Sequence, residues 1–154
     1  MSDREKPKKT AKTSRAVIDA SDLILGRLAS NVAKRILAGE EVIVVNAENV
    51  IISGNKRYIV ETYKKHLETR TLGSQKKAPK HPRRPDTYVR RVVRGMIPWK
   101  KPQGKIAYRR LKVYVGLPEN LKAIPTQLPP EAKKSVQSFV TVGELMETFG
   151  WKRS

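Results

Sequence analysis

The chain has 154 residues, of which 38% are hydrophobic, so it can build one domain with a modest core but not two. It carries 33 Lys or Arg against 14 Asp or Glu, a formal net charge of +19, and it contains no cysteine. This composition excludes disulfides and thiolate zinc sites, and no apolar run reaches the roughly 18 residues of a membrane span or forms a secretory leader.

Three segments are expected from the changes in composition along the chain. Residues 1–14 are rich in Lys and lack apolar periodicity, which predicts a disordered basic N-terminal arm. This arm is either a solubilising tail or a phosphate-contacting segment. Residues 15–116 are expected to form an α/β core carrying basic loops and a basic helix. Residues 117–154 are expected to form a Pro-rich extended segment and a short C-terminal helix.

The first half of the core has the pattern of a βαβ unit. Residues 15–20 read as a short strand, and Ser21 or Asp22 is expected to cap the helix that follows. The apolar positions of that helix recur at three and four residues: Leu25, Leu28, Ala29, Val32, Ala33, Ile36 and Leu37. Gly39 ends the helix, and the β-branched run Glu41–Asn46 is typical of a buried parallel strand. We therefore predict a three-layer single α/β domain around a small parallel sheet.

A nucleotide-binding enzyme on such a sheet needs signals that this chain lacks. The turn Asp19–Gly26 has no glycine fingerprint and places acids where a pyrophosphate would bind. Ser53–Lys56 lacks the first glycine of a phosphate loop. His66 and His81 are isolated, without clustered carboxylates. We therefore expect no catalytic residues, no cofactor site and no metal site, and predict that the protein is not an enzyme.

The middle of the chain reads as a strand, a helix, a long loop and a second helix. Val50–Gly54 is a short strand that ends at a glycine turn, and Lys56–Leu67 has helical periodicity. Residues 69–86 form a long irregular loop, which is usually functional or disordered. Pro85 opens the next helix. Its expected apolar face is Val89, Val92, Val93 and Met96, and its expected cationic face is Arg90, Arg91 and Arg94.

The last third of the chain contains shorter elements. We expect Trp99–Lys105 to form a turn, residues 107–111 a short helix, and Lys112–Gly116 the last strand of the sheet. Residues 117–135 are Pro-rich and are expected to be extended. Thr141–Glu144 has capping-box spacing before Leu145, Met146 and Phe149, which predicts a short docking helix with Trp151 packed back on it.

Positive charge is concentrated between Arg70 and Lys112. This stretch has 15 Lys or Arg and one acid, Asp86, and therefore carries +14 of the chain's +19. Tyr88, Trp99 and Tyr108 are interleaved with the cations. A polyanion is the partner that such a surface predicts. The predicted RNA-binding residues are Asn55, Lys56, Arg57, Arg70, Lys76, Lys77, Lys80, Arg83, Arg84, Arg90, Arg91, Arg94, Trp99, Lys100, Lys101, Lys105, Arg109, Arg110 and Lys112.

Two roles are open for Trp99. The ring lies beside Lys100 and Lys101, so it could stack on a splayed base. It could equally cover the apolar core, and we favour packing.

Several short motifs resemble the L-thirteen family of large-subunit ribosomal proteins over roughly residues 15–117. They are Val17–Ala20, Leu25–Ser30, Val45–Ala47, Ile52–Lys56, Arg83–Pro85, Arg94–Pro98 and Leu111–Gly116. Trp99–Pro102 and the closing Gly150-Trp151 are similar to the archaeal and cytoplasmic eukaryotic branch. The segment His66–Gly73 departs from the bacterial pattern, so bacterial loop contacts do not transfer.

The resemblance implies a structural constituent of the large ribosomal subunit that binds ribosomal RNA, helps early subunit assembly and contacts neighbouring large-subunit proteins. It also implies a cytoplasmic location in the ribosome, and it places Asn55, Lys56, Arg83, Arg84, Arg94 and Lys112 at the RNA. We expect no membrane, small-molecule or homo-oligomeric partner. The alternatives are a non-ribosomal nucleic-acid-binding protein and, behind it, a small nucleotide-binding enzyme. Against a DNA binder, the chain lacks helix-turn-helix, zinc-finger and basic-zipper spacing.

Overall fold

A computed structural model describes residues 15–69, 71, 73–121 and 136–153. The predicted arm, residues 1–14, lies outside the described residues, as do most of the Pro-rich segment and Arg70. The strands and helices are, in chain order, β1 Arg15–Asp19, α1 Leu25–Ala38, β2 Glu41–Val45, β3 Ile51–Ser53, α2 Lys56–Glu68, α3 Pro85–Gly95, α4 Pro102–Arg109, β4 Leu111–Val113, β5 Phe139–Thr141 and α5 Val142–Thr148.

A small parallel sheet with strand order β1-β2-β4 lies at the centre of the domain. Val17 pairs with Ile43, and Ile43 pairs with Lys112 on the other side of β2. β3 and β5 form a separate antiparallel pair, with Ile52 opposite Val140. The predicted single α/β domain around a small parallel sheet is therefore confirmed, and the second sheet is an addition to it.

Successive residues of the parallel strands face opposite sides of the sheet and pack into two separate hydrophobic clusters. One face carries Ile18, Val42 and Val44, which belong to the large cluster that all five helices share. The other face carries Val17, Ile43 and Val45, which form a smaller buried cluster with Leu121 packed against it. Burial on both faces explains why β2 is a continuous apolar run.

Helix α1 has the predicted apolar face. Leu28, Val32 and Ile36 are fully buried, and Gly39 ends the helix at a φ of 105°, where glycine avoids the strain of a left-handed backbone. The expected cap at Ser21 or Asp22 is wrong. Ile24 occupies the N-cap position without a side-chain bond.

The Asp19 carboxylate explains the missing cap. Its Oδ1 accepts hydrogen bonds from the Ser21 amide and hydroxyl, at 3.0 and 2.8 Å, and from Asn46 Nδ2 at 2.9 Å. Ser21 is thereby turned toward β1 rather than toward the helix. Burial opposes the charge on Asp19, but these three bonds outweigh it and hold the pKa of Asp19 below its usual value.

Three further expectations for the chain are corrected. Helix α4 begins at Pro102, so the second half of the predicted turn Trp99–Lys105 is helical. β4 covers only Leu111–Val113 rather than Lys112–Gly116; it is the last strand of the parallel sheet as expected, because β5 belongs to the separate pair. Met96 lies beyond the end of α3 and is 44% exposed, so it does not complete the apolar face of that helix.

The C-terminal elements are part of the main core. Thr141 Oγ1 accepts a hydrogen bond from the Glu144 amide at 3.2 Å, as the capping spacing predicted. Leu145 and Met146 are fully buried, and Trp151 packs against the same cluster. Helix α5 therefore closes the domain beside α2 and α3.

Candidate nucleic-acid interface

Nearly all the predicted cations that the structure describes point to solvent. Arg90, Arg94 and Arg110 are half-buried, and the others are exposed. Among these described cations, carboxylate partners are found for Lys56, which lies 3.5 Å from Glu144, and for Arg84. Most of the positive charge is therefore uncompensated within the described protein, and this leaves it available to a polyanion.

The long loop before α3, helix α3 and helix α4 meet at one pocket of about 330 Å³, which we call the α3–α4 pocket. It is lined by Lys80, His81, Pro82, Thr87, Arg90, Arg91, Arg94 and Tyr108. Four of these side chains are Lys or Arg, and no Asp or Glu is among the described lining residues. The pocket therefore suits an anionic group rather than a cation or an apolar ligand.

Two of its arginines rest on aromatic rings. The Arg90 guanidinium carbon lies 5.1 Å from the centre of the Tyr108 ring, and that of Arg94 lies 5.3 Å from the Trp99 ring. The two rings touch edge to face, with centroids 5.0 Å apart and planes at 80°. Trp99 is 37% exposed and is not among the described residues packed against the core, so the favoured core-covering role is wrong. Its ring contacts Tyr108 of α4 and presents part of its surface to solvent.

Tyr63 fixes the loop beside this pocket. Its hydroxyl donates a hydrogen bond to the Pro82 carbonyl oxygen, and its ring contacts Tyr88 and Phe149 edge to face at 5.5 and 5.2 Å. One buried ring thus connects α2 with the loop, α3 and the segment after α5. Burial, with a smaller contribution from Tyr88, raises the pKa of Tyr63 to about 12.

Neither metal-binding nor membrane-spanning features occur in the described part of the chain. Within residues 15–69, 71, 73–121 and 136–153, no three His, Cys, Asp or Glu side chains are grouped as a metal site would require. No helix among those residues has the length and apolar composition to cross a membrane.

A comparison with known protein families decides where the chain belongs. The model of the family described as "Ribosomal protein L13" matches residues 13–120. The chain belongs to the ribosomal protein L13 family. The match contains β1 to β4 and α1 to α4, and with them the whole α3–α4 pocket. It agrees with the resemblance that the short motifs indicated.

Curated relatives of this L13 family member come from several archaea. A protein of Methanocaldococcus jannaschii is 47% identical over 137 residues, covering 88% of this chain and 98% of the relative. A protein of Methanococcus maripaludis is 45% identical over 143 residues, with the same shares, and one of Archaeoglobus fulgidus is 43% identical over 141 residues, covering 88% of each. All three carry the name "Large ribosomal subunit protein uL13".

The six residues that the family resemblance placed at the RNA do not form one site. Arg94 lines the α3–α4 pocket, whereas Arg84 lines a different pocket near Gly116. Asn55 caps α2 by accepting a hydrogen bond from the Arg57 amide at 2.9 Å, and Lys56 reaches Glu144. Arg83 and Lys112 are exposed outside the α3–α4 pocket. The RNA-binding assignment of all nineteen residues stays a prediction.

Sequence reasoning misjudged the setting of one cation and missed one aromatic residue. Arg110 Nη1 donates a hydrogen bond to the Ile36 carbonyl oxygen at 3.3 Å, so this cation ties α4 to the end of α1. Tyr108 was absent from the predicted site although its ring supports Arg90. The signal that could have found it is the placement of aromatic residues among the cations.

The raised pKa of Tyr63 leads to a pH-dependent prediction. A tyrosine with a raised pKa in the folded state stabilises the fold below its ordinary value near 10, and this contribution is lost as pH rises toward 12. We expect wild type to lose about 1 to 2 kcal/mol more stability than Tyr63→Phe over that range. At neutral pH the variant should be less stable by about 1 kcal/mol, because Pro82 loses its donor.

Chemical denaturation of both proteins from pH 8 to 12 would measure the difference. Lysine titration affects the two proteins alike, so it cancels in the comparison. Parallel pH profiles would show that the Tyr63 hydroxyl is not buried as the structure describes.

Proposed function

We propose that this protein is a structural constituent of the large ribosomal subunit, which it joins by binding ribosomal RNA. The observation that carries the proposal is the family match over residues 13–120, which contains the whole basic stretch from Arg70 to Lys112. The name that the archaeal relatives carry indicates the large subunit, and the positive charge of this chain indicates contact with RNA phosphates. Cations on a folded α/β frame neutralise phosphates where RNA segments approach each other.

The α3–α4 pocket is the centre of the proposed RNA surface. Lys80, Arg90, Arg91 and Arg94 converge there from a loop and a helix. The other predicted cations extend this surface, and residues 1–14 are proposed to be a basic arm that follows the RNA. Neighbouring large-subunit proteins are the expected protein partners, in a cytoplasmic ribosome, and early subunit assembly is the expected time of binding. The proposal requires neither catalysis nor a cofactor.

Sedimentation tests the proposal. A tagged copy would be expressed in Methanococcus maripaludis, whose own protein is 45% identical, and lysates would be separated on sucrose gradients at low and high salt. We expect the tagged chain to migrate with the large subunit at both salt concentrations. Digestion with ribonuclease should release it, whereas digestion with deoxyribonuclease should not.

The same gradients distinguish the alternatives. Release by deoxyribonuclease alone would point to a DNA-binding protein. A tagged chain that stays at the top of the gradient and hydrolyses a nucleoside triphosphate would overturn the ribosomal proposal in favour of an enzyme.

A further inference from the structure

The arginines of the α3–α4 pocket are held by a continuous series of ring contacts. Arg90 lies over Tyr108, Tyr108 meets Trp99 edge to face, and Arg94 lies over Trp99. The series starts and ends on α3 and passes through α4 and then through the turn before α4. We call these four side chains the arginine–aromatic ladder. It forms between two helices, so it exists only in the folded domain.

Arg90 and Arg94 lie one helical turn apart, and their charges repel each other. The contacts with the two rings offset this repulsion only in part. Like charges at positions i and i+4 repel each other, and no carboxylate lines the pocket among the described residues to compensate Arg90 and Arg94. Each ring face attracts one guanidinium, which leaves the edges of both guanidinium groups as donors. An anion that accepts from these edges would remove the remaining repulsion.

Two residues that line the pocket each have a buried nitrogen atom without a partner in the described part of the chain. Arg90 Nε and His81 Nε2 are both buried and have no hydrogen-bond partner among the described residues. Buried polar atoms in folded proteins are almost always hydrogen-bonded, so these two atoms show that the side chains around the pocket have unmet hydrogen-bonding capacity. Both atoms are closed off from solvent, so the ring contacts and the lining charge, rather than these atoms, point to a ligand. The side chains of both residues line the α3–α4 pocket.

The ligand class follows from the geometry and charge. Planar guanidinium groups match the paired oxygens of a phosphate, and the lining adds Lys80 and Arg91 as further cations. The pocket of about 330 Å³ lies at the lower end of the range for ligand sites, so it admits a phosphate with its adjoining sugar. A chain phosphate fits better than a free one because the pocket opens onto the basic surface around it.

We propose that the arginine–aromatic ladder is a preformed fork for a single backbone phosphate of RNA, with Tyr108 and Trp99 as positioning residues for Arg90 and Arg94. This inference rests on the proposed function. Long arginine side chains lose conformational freedom when they bind, and rings that restrict them beforehand reduce that loss. Tyr108 therefore contributes to affinity by holding Arg90 and without contributing charge, although its side chain also lines the pocket.

A set of four variants tests the role of Tyr108. The probe is a large-subunit ribosomal RNA transcript of Methanocaldococcus jannaschii, titrated over a series of KCl concentrations. Tyr108→Leu should weaken binding by about 3- to 10-fold with an almost unchanged slope of log affinity against log salt, because every cation remains. Tyr108→Phe keeps the ring and should bind like wild type. Arg90→Gln should lower the slope by about one unit.

Arg90→Lys provides a second route if Tyr108→Leu is poorly folded. It keeps the charge but loses the planar group, so its affinity should fall as in Tyr108→Leu, with the slope kept. The double variant Arg90→Lys with Tyr108→Leu should be no weaker than either single variant, since both remove one shared contact. Melting curves of all variants show whether a loss of affinity reflects loss of the fold.

Each outcome either supports or overturns the proposal. Wild-type affinity in Tyr108→Leu, equal losses in Tyr108→Phe and Tyr108→Leu, or additive losses in the double variant would each overturn it while leaving RNA binding intact. Failure of wild type to bind the transcript would instead refute the proposed function. Inorganic phosphate is titrated as a separate ligand, and tight saturable binding that needs Tyr108 would assign the pocket to a free anion rather than to RNA.

Discussion

Replacing Gly104 by Ala is expected to destabilise the domain and to weaken the proposed RNA surface at the same time. A Cβ atom at this position would lie 2.2 Å from the Pro98 carbonyl oxygen and 2.6 Å from its carbon. Both are backbone atoms, so no side-chain rotation relieves the overlap. Either the first turn of α4 or the turn at Pro98 has to move, at a cost of about 1 to 3 kcal/mol or more. Thermal melting measures this loss.

Gly104→Ala should also affect binding, because the close approach of Gly104 to Pro98 holds two aromatic rings in contact. The turn after Pro98 carries Trp99, and α4 carries Tyr108, whose rings are in contact. A shift of either element separates these rings and displaces Arg94. We therefore expect Gly104→Ala to bind the RNA transcript more weakly even at temperatures where it is folded.

Gly26→Ala is the matched control. Gly26 also lies in the first turn of a helix, but a Cβ there would meet no atom within 4 Å. Ala is favoured over Gly in a helix, so this variant should be as stable as wild type or more stable by about 0.5 to 1 kcal/mol. If the two variants melt alike, the close contact between α4 and Pro98 is not present in solution.

Gly104 also explains why the sequence misplaced the start of α4. Pro102 stands at the first position of the helix, which is a typical start signal, but a glycine two residues later lowers helix propensity and suggested a turn. The tertiary contact with Pro98 requires that glycine. Local propensity and packing therefore conflict at this point, and the packing determines the structure.

The elements that were predicted correctly are specified by residues that lie close together in the chain. Helix α1 has seven apolar positions at helical spacing and a terminal glycine, and the apolar run of β2 reports burial on both faces. β5 was missed because it has three residues and pairs with β3, more than eighty residues earlier. A strand this short has too few positions for a periodic pattern, and its partner cannot be read from local sequence.

In the candidate site, too, features encoded by nearby residues were predicted and contacts between distant residues were not. The density of cations predicted a polyanion surface and identified four of the residues that line the α3–α4 pocket. Charge alone could not separate Arg94, which lies over Trp99, from Arg110, which binds the last turn of α1. Tyr108 was missed because its contact with Arg90 joins two helices, and no spacing within one helix encodes it.

The largest effect on binding is expected when Arg90, Arg91 and Arg94 are all replaced by Gln. Each arginine that neutralises a phosphate releases about one counterion, so the plot of log affinity against log salt should become flatter by roughly 2 to 3 units. The fold should survive, because Val89 and Val93 stay fully buried on the other face of α3 and Gln is a good helix former. Loss of the two ring contacts should lower stability by about 1 to 2 kcal/mol.

The control has to remove the same charge elsewhere. Lys34, Lys64 and Lys152 are exposed and lie outside the α3–α4 pocket, so their triple replacement by Gln gives the same change in net charge. If the pocket holds the RNA, this control should change the slope by less than about one unit, because counterions are released only where phosphates are contacted. Equal changes in both triple variants would show that binding depends on overall charge. A folded arginine triple variant with an unchanged slope would show that α3 faces solvent and that the polyanion is bound elsewhere.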